Sequence, residues 1–379
     1  MLRAVDIAPG IHNYVVNWAG VRRGEEVVVL ADGMSADELV VESVASVASA
    51  QGAHVNVVWI PYNPIPVQGA GKSVSYALMQ ADKVFRLCWA VSHDKSSAYS
   101  YQMYGTSFFG CARPQRDFFA SRAATFPIEL TFAIARRQIE RIWEFGRGHV
   151  VRVVHPNGTD LRAYGDPEDW VVDGVKPLSR RRGWLEPKDI PGAYPNNFPG
   201  IVVGLVPPHG GQGMVKYESF AGIGATPDMT LTFDEGRAIQ IRGGVEAARL
   251  RELIQGVPGG NTMVEIMWGL HPKIRADAPI DQVPIPTEAE RFAGNLHVAI
   301  GNRPWFGHVM RLEQSRVQRH LDGFMRKPSV YIDDEPIIEN GYPLVLQDAE
   351  VRKVAAKYGD PDELLMPTGL TQAVEDKGD

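Results

Sequence analysis

Residues 319–324 read RHLDGF, which places an imidazole, His320, and a carboxylate, Asp322, two positions apart. If this segment is a β-strand, both side chains project from the same face, because side chains along a strand alternate with a period of two. An imidazole beside a carboxylate is a typical pair of metal ligands, but it is also a common surface hydrogen bond. The pair alone does not decide between these two interpretations.

Two further groups in the second half of the chain could join that pair. Glu265 lies in the apolar segment MVEIMW, where an unpaired carboxylate is costly to bury. His297 lies in the apolar segment GNLHVAIGN, where a histidine can also be an ordinary hydrogen-bonded core residue. Together the four side chains form a mixed nitrogen and oxygen set that suits Zn, Fe or Mn. The sequence therefore indicates a candidate site for a divalent metal.

A third histidine, His93, follows the apolar segment KVFRLCWAV. Loops after the strands of open α/β sheets often contact ligands, and an imidazole can serve as general acid or base near neutral pH. The alternative is a solvent-exposed loop histidine beside Asp94. The aromatic-rich segment YSYQMYGTSFFG comes next, and it either lines a pocket for a flat substrate or packs between domains.

The chain has 379 residues, a formal net charge of −6 and a sequence pI of about 6.0. This length suffices for two domains or one large α/β unit with a substantial core. An acidic balance without a concentrated basic face argues against nucleic-acid binding. The two cysteines, Cys88 and Cys111, provide neither a disulfide framework nor a cysteine-based zinc site.

The first residues show no basic stretch followed by a long apolar run, so no signal peptide is expected. No run of about 18 apolar residues is present either, so no membrane span is expected. We therefore expect a cytoplasmic protein without a nucleic-acid or membrane partner. The sequence is compatible with a homo-oligomer but leaves the oligomeric state open.

Strand and helix signals alternate in the first part of the chain. The short apolar segments EEVVVLA, HVNVVWI and KVFRLCWAV are typical of strands, and SADELVVESVASVASAQG and SVSYALMQA between them are typical of helices. Ser35 or Asp37 could cap the first of these helices, and Gly52 stands where a C-terminal cap belongs. The alternation predicts an N-terminal parallel α/β domain over residues 1–148.

From residue 149 onward, short strands are separated by Gly, Pro, Asp and Asn, as in HVVRVVHP, TDLRAYG and RAIQIRGG. One helix, VEAARLRELIQ, precedes the strand TMVEIMW. Residues 149–379 are therefore predicted to form a β-rich α+β domain that contains the candidate metal ligands. The predicted fold class is α/β, with the parallel α/β domain followed by this metal-binding domain.

Several motifs of the second half carry a resemblance to a known family. GRAIQIRGGVEAARLRELI, VEIMWGLHP, GNLHVAIG and HLDGFMRKPSVYIDDEPIIENG come in this order and together resemble the C-terminal metal domain of the aminopeptidase T/S metallopeptidase family. NGTDLRAY and GVRRGEEVVVLAD resemble it as well. The branch with these features is similar to 2,5-dihydroxypyridine 5,6-dioxygenase, a mononuclear non-haem iron enzyme that opens a hydroxylated pyridine ring.

The resemblance implies a role for each candidate residue. His320 and Asp322 fall on positions that bind metal in both the peptidases and the dioxygenase. Glu265 falls on the bridging glutamate of the peptidases, where the dioxygenase has histidine. His297 falls on a peptidase ligand that the dioxygenase lacks. His93 is comparable to a dioxygenase histidine, which implies a general acid or base.

Two peptidase features are replaced in this chain. A metal-binding glutamate is expected after an N-x-P turn, where NNFPGIVVG offers Ile201 and Val202. A tyrosine is expected after the H-x-A-x-G motif, where NRPWFG stands instead. Because a bridged pair of metals needs ligands on both sides, losing a carboxylate favours a single metal.

The leading hypothesis is a mononuclear metal-dependent enzyme, namely an Fe(II) ring-opening dioxygenase that acts on a small hydroxylated aromatic or N-heteroaromatic compound. Its ligands would be His320, Asp322, Glu265 and additionally His297, and two histidines with one carboxylate form a familiar non-haem iron site. The alternative is a Zn- or Mn-dependent hydrolase of an amide, peptide or ring C–N bond, with Glu265 as ligand or base. A third alternative is a non-catalytic metal-binding protein.

Overall fold

The computed structural model describes residues 2–62, 71–88, 105–111, 113–172, 176–179, 183–185, 197–275, 278, 288–302 and 320–368. The chain divides into two compact units, of which the first comprises Met1–Phe132 and Asp173–Gly200 and the second Ala133–Val172 and Ile201–Asp379. The units differ from the predicted domains in two segments, 133–148 and 173–200. The predicted boundary between residues 148 and 149 stays a prediction.

The described residues form the following helices. The α-helices are α1 (Ala4–His12), α2 (Glu38–Ala50), α3 (Lys72–Gln80), α4 (Arg116–Phe119), α5 (Ile128–Ile142), α6 (Val245–Ile254), α7 (Ala349–Ala355) and α8 (Pro361–Leu365). A π-helix covers Asn13–Trp18, and 3-10 helices cover Pro167–Asp169, Ala289–Arg291 and Leu344–Gln347. No helix in these parts of the chain is long and apolar enough to span a membrane.

The strands are β1 (Glu26–Asp32), β2 (His54–Ile60), β3 (Lys83–Leu87), β4 (Ser107–Cys111), β5 (His149–His155), β6 (Thr159–Gly165), β7 (Trp170–Val172), β8 (Lys176–Ser179), β9 (Gly183–Leu185), β10 (Asn197–Phe198) and β11 (Val202–Leu205). They continue with β12 (His209–Lys216), β13 (Ser219–Phe220), β14 (Gly224–Ala225), β15 (Thr230–Asp234), β16 (Arg237–Arg242), β17 (Met263–Gly269), β18 (Leu296–Gly301), β19 (His320–Met325), β20 (Ser329–Ile332), β21 (Glu335–Glu339) and β22 (Tyr342–Pro343).

The first unit contains a parallel sheet in the order β10-β4-β3-β1-β2. Its interior strand β1 is almost wholly buried, as expected for a continuous apolar run in a parallel sheet. The aromatic segment around residue 107 forms β4, and Phe108 and Phe109 are buried in this core. The predicted parallel α/β architecture is thus confirmed, and the described part of the aromatic segment serves packing.

Local capping agrees with the sequence at the first predicted helix. The side chain of Asp37 accepts a hydrogen bond from the backbone N–H of Leu39, so Asp37 is the N-cap of α2. After the helix, Gly52 adopts φ +86° and donates its N–H to the carbonyl of Ser49. A left-handed residue at this position favours glycine because other residues pay a steric penalty there.

Three elements of the first unit, namely α1, the π-helix and β10, were missed by the sequence analysis. Residues Ala4–Trp18 form α1 and the π-helix, and their side chains Tyr14 and Trp18 pack against Phe198. Phe198 belongs to β10, a short strand that arrives from a distant part of the chain and pairs with β4. Asn197 and Phe198 therefore complete the first sheet, a long-range pairing that local patterns do not encode.

The second unit contains two antiparallel sheets. One has the order β14-β13-β19-β18-β17-β11-β7, and the other β16-β15-β12-β6-β5-β20-β21-β22. Large aromatic side chains, including Tyr217, Phe233, Trp268 and Phe324, are fully buried in this unit. The predicted change from a parallel to an antiparallel, β-rich region is confirmed. The centre of the seven-stranded sheet, formed by β17, β18 and β19, holds the candidate ligands.

Candidate metal centre

Three neighbouring strands place ligand groups in one row across the seven-stranded sheet. Glu265 on β17 lies opposite Ala299 on β18, and Ala299 lies opposite Asp322 on β19. Directly opposite residues project from the same face, so both carboxylates point to one side of the sheet. A register shift between Met263 and Glu265 precedes the row on β17, and such bulges often redirect a side chain next to a functional site.

The two histidines lie on the same face as this row. His297 precedes Ala299 by two positions on β18, and His320 precedes Asp322 by two positions on β19. Because side chains alternate with a period of two, each histidine projects beside the residue two positions further on. The strand interpretation of the RHLDGF segment therefore holds from His320 onward. The sheet brings together all four predicted ligand residues.

The ligand atoms of these residues lie within contact distance. His320 Nε2 lies 3.2 Å from Glu265 Oε1 and 2.9 Å from Asp322 Oδ1. His297 Nε2 lies 3.1 Å from the same Glu265 oxygen. One ligand atom each from Glu265, His320 and Asp322 forms a group whose members all lie within 4.8 Å of one another. His297 is not part of that group and contacts it through Glu265.

Ala299 was not singled out from the sequence, although it occupies the middle of the row. Its methyl group is buried between Glu265 and Asp322, and the surrounding ligand groups converge on the same face. A larger side chain at this position would occupy the space where the ligands meet. The sequence HVA in β18 could have identified Ala299, because its spacing places a small residue on the same face as His297, two positions further along the strand.

Several polar atoms of this group are buried without a hydrogen-bond partner among the described residues. They are Glu265 Oε2, His297 Nδ1 and Asp322 Oδ1, of which the last has only its 2.9 Å ion-pair contact with His320 Nε2. A buried polar atom that lacks a partner costs on the order of 1–3 kcal/mol, and native proteins keep few of them. Their concentration around one point indicates that this part of the sheet is built to bind something rather than to maximise stability.

The electrostatics of the group are those of tightly coupled opposite charges. Burial raises the pKa of Glu265, but the positive charge of His320 and hydrogen bonds from both imidazoles lower it to about 2. Burial lowers the pKa of both imidazoles, but contact with Glu265 and the charge of Asp322 raise the pKa of His297 and raise that of His320 well above its ordinary value. In the absence of a cation, contact with the carboxylates therefore favours the protonated form of both imidazoles.

These residues fit a divalent cation. Two buried carboxylates in such proximity require positive charge nearby, since an uncompensated buried charge is strongly destabilising. The two imidazoles, whose pKa values are raised by these carboxylates, are one source of that charge. A divalent cation at the same point would supply it instead, with deprotonated imidazole nitrogens and carboxylate oxygens as ligands. The donor set of nitrogen and oxygen suits Fe, Mn or Zn.

A second group of ligand atoms lies at the turn before β7 and consists of Asp166, Asp169 and His209. Asp169 Oδ2 accepts the backbone N–H of Asp166 at 2.9 Å and lies 2.7 Å from His209 Nε2. Asp166 Oδ1 accepts the backbone N–H of Gly148 at 2.8 Å. These contacts already use the side chains to stabilise the turn, and His209 is exposed, so the group is explained without a metal.

The other predicted site residues do not contribute to this group. His93, Asp94 and the part of NRPWFG that follows Asn302 (residues 303–307) lie outside the described residues. Ile201 and Val202, which stand where the peptidases would have a metal-binding glutamate, are buried apolar side chains. The described part of this segment therefore supplies no carboxylate to the metal centre.

The comparisons with known proteins agree with this architecture. Residues 217–345 match the family model described as NicX, 2,5-dihydroxypyridine 5,6-dioxygenase, and this segment contains all four candidate ligands. None of the curated protein sequences matches the chain. The predicted resemblance to the aminopeptidase T-like branch that includes this dioxygenase is confirmed.

Two solved structures share the fold over nearly the whole chain. The 2,5-dihydroxypyridine dioxygenase of Pseudomonas putida has a TM-score of 0.65 and 18% sequence identity, covering 93% of this chain and 100% of its own. Wild-type AmpT from Thermus thermophilus has a TM-score of 0.61 and 16% identity, covering 90% of this chain and 99% of its own. At such identities the likeness establishes the fold, and both neighbours are enzymes.

Proposed function

We propose that the chain is a metal-dependent enzyme that binds one divalent cation through Glu265, His320 and Asp322. The observation that carries this proposal is the convergence of three ligand atoms on one buried face of the sheet, within 4.8 Å of one another. The buried Oε2 of Glu265, which lacks a hydrogen-bond partner among the described residues, supports it, because a cation would engage this atom. His297 would either join as a fourth ligand or orient Glu265 through its 3.1 Å contact.

The reaction we favour is Fe(II)-dependent ring opening of a small hydroxylated aromatic or N-heteroaromatic compound by dioxygen. A family match over the segment that contains every candidate ligand supports this choice over other metal chemistries. A bound Fe(II) would supply open positions for the ring and for dioxygen, and it would relay electrons from the electron-rich ring to dioxygen. Only three protein ligands would surround the cation, because His297 contacts Glu265 and not the other two ligands. This number of ligands is consistent with open coordination positions.

The chain's own residues would have distinct roles around the cation. The carboxylates of Glu265 and Asp322 would neutralise its charge, and His320 lies within 3.2 Å of both of them. All four side chains are nearly inaccessible to solvent, so water would compete poorly for the ligand atoms. In such a low-dielectric environment, the fixed charges act more strongly on a bound substrate than they would in water.

A Zn- or Mn-dependent hydrolase is the second candidate. The observation that favours it is the carboxylate of Glu265, whose Oε2 is buried without a partner among the described residues. A carboxylate there could act as a base toward metal-activated water or as an additional ligand. The shared fold of AmpT, an aminopeptidase, supports this candidate as well. A non-catalytic metal-binding protein is the third candidate.

The decisive experiment is metal analysis of protein purified without air, followed by turnover assays on hydroxypyridines and phenols and on amide and peptide substrates. Iron together with substrate-dependent oxygen uptake is the expected result. Zinc or manganese with oxygen-independent turnover would establish the hydrolase instead. Bound metal without turnover of any of these compounds would favour the third candidate. Stoichiometry well below one metal per chain would contradict the proposed site.

His93 stays a proposed general acid or base of this reaction. We expect His93→Ala to lower kcat by roughly 10²–10⁴-fold, the usual contribution of such a group. Metal content should remain unchanged, since His93 is not a proposed ligand. His12→Ala, at an exposed histidine of α1, is a suitable control and should leave kcat unaltered. Unaltered kcat and pH–rate profile in His93→Ala would exclude the catalytic role, and loss of metal would reassign His93 to the ligand set.

A further inference from the structure

The edge strands of the three larger sheets differ in how they are protected against pairing with another chain. An edge strand presents unpaired backbone N–H and C=O groups, and proteins usually protect it by making it short or by adding charges, proline or a bulge. In the described part of the chain, four of the six edges are only two or three residues long: β7, β10, β14 and β22. One of these, β22, also contains Pro343.

The fifth edge strand, β16, is longer but carries two other protections. Arg237 and Arg242 stand at its ends. Its register against β15 shifts between Gln240 and Ala238, so Ile239 is the extra residue of a bulge. Like charges and a local twist of this kind disfavour a second strand along the same edge.

The sixth edge strand, β2, has none of these features. Its seven residues, HVNVVWI, include no Asp, Glu, Lys, Arg or Pro, and they pair with β1 in an uninterrupted parallel register. Most of the strand is exposed, with 41% of Val57 and 47% of Trp59 accessible to solvent. A long, flat, uncharged edge with exposed apolar side chains is the type that pairs with another strand.

The direction of the backbone groups along β2 follows from its pairing with β1. The N–H of His54 donates to the carbonyl of Glu25 on the inner side. Because backbone groups alternate in direction along a strand, every second residue from His54 bonds inward. Val55, Val57 and Trp59 therefore present their N–H and C=O groups to the open edge. The side chains of these three residues also share one face.

We propose that β2 pairs in antiparallel orientation with β2 of a second copy of this chain, around a twofold axis at Val57. In this register Val57 faces its own copy, and Val55 faces Trp59 of the other copy. The three outward residues of each strand then exchange both backbone hydrogen bonds with their opposites. The two five-stranded sheets thereby become one continuous sheet.

A second copy fits this edge better than an unrelated extended peptide. A twofold axis within an antiparallel pair brings identical segments together, and an uncharged strand places no like charges opposite each other. The pairing also places a β-branched residue opposite an aromatic one, which is a favourable cross-strand contact. Seven residues per partner are fewer than the roughly 20–30 of a standard interface, so the dimer should dissociate on dilution.

Disulfide trapping tests the predicted register directly. In a hydrogen-bonded antiparallel pair, opposite Cα atoms lie about 5.5 Å apart, which is within the range that a disulfide spans. Val57→Cys should therefore give a covalent dimer under mild oxidation, seen as a doubled mass on a non-reducing gel. Ile239→Cys, at the 65% exposed bulge of the other long edge, is the matched control. Neither this variant nor the wild-type chain should form a covalent dimer, so both should run at the monomer mass on a denaturing, non-reducing gel.

A concentration series by analytical ultracentrifugation tests the interface without cross-linking. The wild-type chain should change from monomer to dimer with increasing concentration. Val57→Lys should weaken association at least about 10-fold because it places two ammonium groups opposite each other, whereas Ile239→Lys should behave as wild type. Unchanged circular dichroism and metal content in both variants would show that they fold. A wild-type chain that remains monomeric at all concentrations, or a Val57→Lys variant that associates like wild type, would overturn the proposal.

Discussion

Buried histidines have different partners in the two antiparallel sheets of the second unit: neutral groups in one sheet and carboxylates in the other. In the eight-stranded sheet, His149 on β5 accepts a hydrogen bond from Trp170 Nε1 at 2.9 Å, and its Nδ1 lies 2.8 Å from the carbonyl of Gly146. Both ring nitrogens are thus satisfied by neutral groups. In the seven-stranded sheet, His297 and His320 instead contact buried carboxylates, and His297 Nδ1 lacks a partner among the described residues.

The carboxylates of the two sheets differ in the same way. Asp160 in the eight-stranded sheet accepts two hydrogen bonds from Arg152, at 2.9 and 2.7 Å, and the pair is well exposed to solvent. Glu265 and Asp322 are buried and each keeps an oxygen without a hydrogen bond. The ionisable groups of the eight-stranded sheet therefore cost little folding free energy. Those of the seven-stranded sheet are buried at a cost in free energy, which a bound cation would offset. This difference supports the proposed functional role of the polar groups in the seven-stranded sheet without reference to any relative.

The largest effect that tests this comparison should come from the two proposed ligands on β19. His320→Ala and Asp322→Ala should each lower metal affinity by more than about 100-fold. Substituting a residue that only supports a ligand already lowers metal affinity by about 10–100-fold, and removing the ligand itself should have a larger effect. Metal content after dialysis against a chelator is the measurement, together with turnover.

The matched control is His149→Ala in the other sheet. It removes a buried, fully hydrogen-bonded histidine and should lower thermal stability while metal content stays unchanged. Equal metal loss in His149→Ala and His320→Ala would show that the loss follows from destabilisation alone. Full metal content in His320→Ala and Asp322→Ala would remove the site.

A second substitution, at Glu265, separates the two candidate chemistries. Glu265→His introduces the ligand type that the resemblance assigns to the dioxygenase, and in an iron enzyme it should retain part of the metal and part of the oxygen uptake. In a hydrolase that uses the carboxylate as a base, turnover should be lost while metal is retained. Glu265→Gln keeps the shape and removes the charge, so it serves as the comparison in both metal analysis and assay. Wild-type behaviour of Glu265→Gln would make this carboxylate a structural residue.

A third substitution tests the position of Ala299 between Glu265 and Asp322. Ala299→Leu should lower metal affinity by roughly 10–100-fold, since the larger side chain occupies the point where the ligands converge. Overpacking should also reduce the free energy of unfolding by about 1–3 kcal/mol. Ala163→Leu is the matched control, because Ala163 is equally buried on β6 but has no ligand beside it. Both variants should lose stability in denaturant unfolding, and only Ala299→Leu should lose metal; equal metal affinity in the two would contradict the assignment.

The smallest effect is expected at the exposed pair of the eight-stranded sheet. Asp160→Asn should change the free energy of unfolding by less than about 1 kcal/mol, because solvent screens this ion pair. The hydrogen bonds from Arg152 lower the pKa of Asp160. The contribution of the Asp160–Arg152 pair to the free energy of unfolding is therefore present above the ordinary pKa of an aspartate. It is lost as the pH falls through the lowered pKa of Asp160 in the folded state. Urea unfolding at neutral and acidic pH would measure this, and a larger loss at acidic than at neutral pH would contradict it.

Much of the local structure followed from the residue pattern. Asp37 and Gly52 mark the ends of α2 because side-chain capping and left-handed glycine act over a few residues. The period of two likewise predicted that His320 and Asp322 share a face. In contrast, α1 and the π-helix at the start of the chain were missed.

The sequence by itself determined the types of the ligand groups, their pairwise spacing within strands and the alternation of the two folding patterns. These features depend on local chemistry and on the period of a strand. Only the tertiary structure decided that β17, β18 and β19 are neighbours, that Ala299 separates Glu265 from Asp322, and that β10 joins the first sheet. Strand order and register are set by which apolar surfaces pack over long sequence separations, and a single sequence does not encode them in any local window.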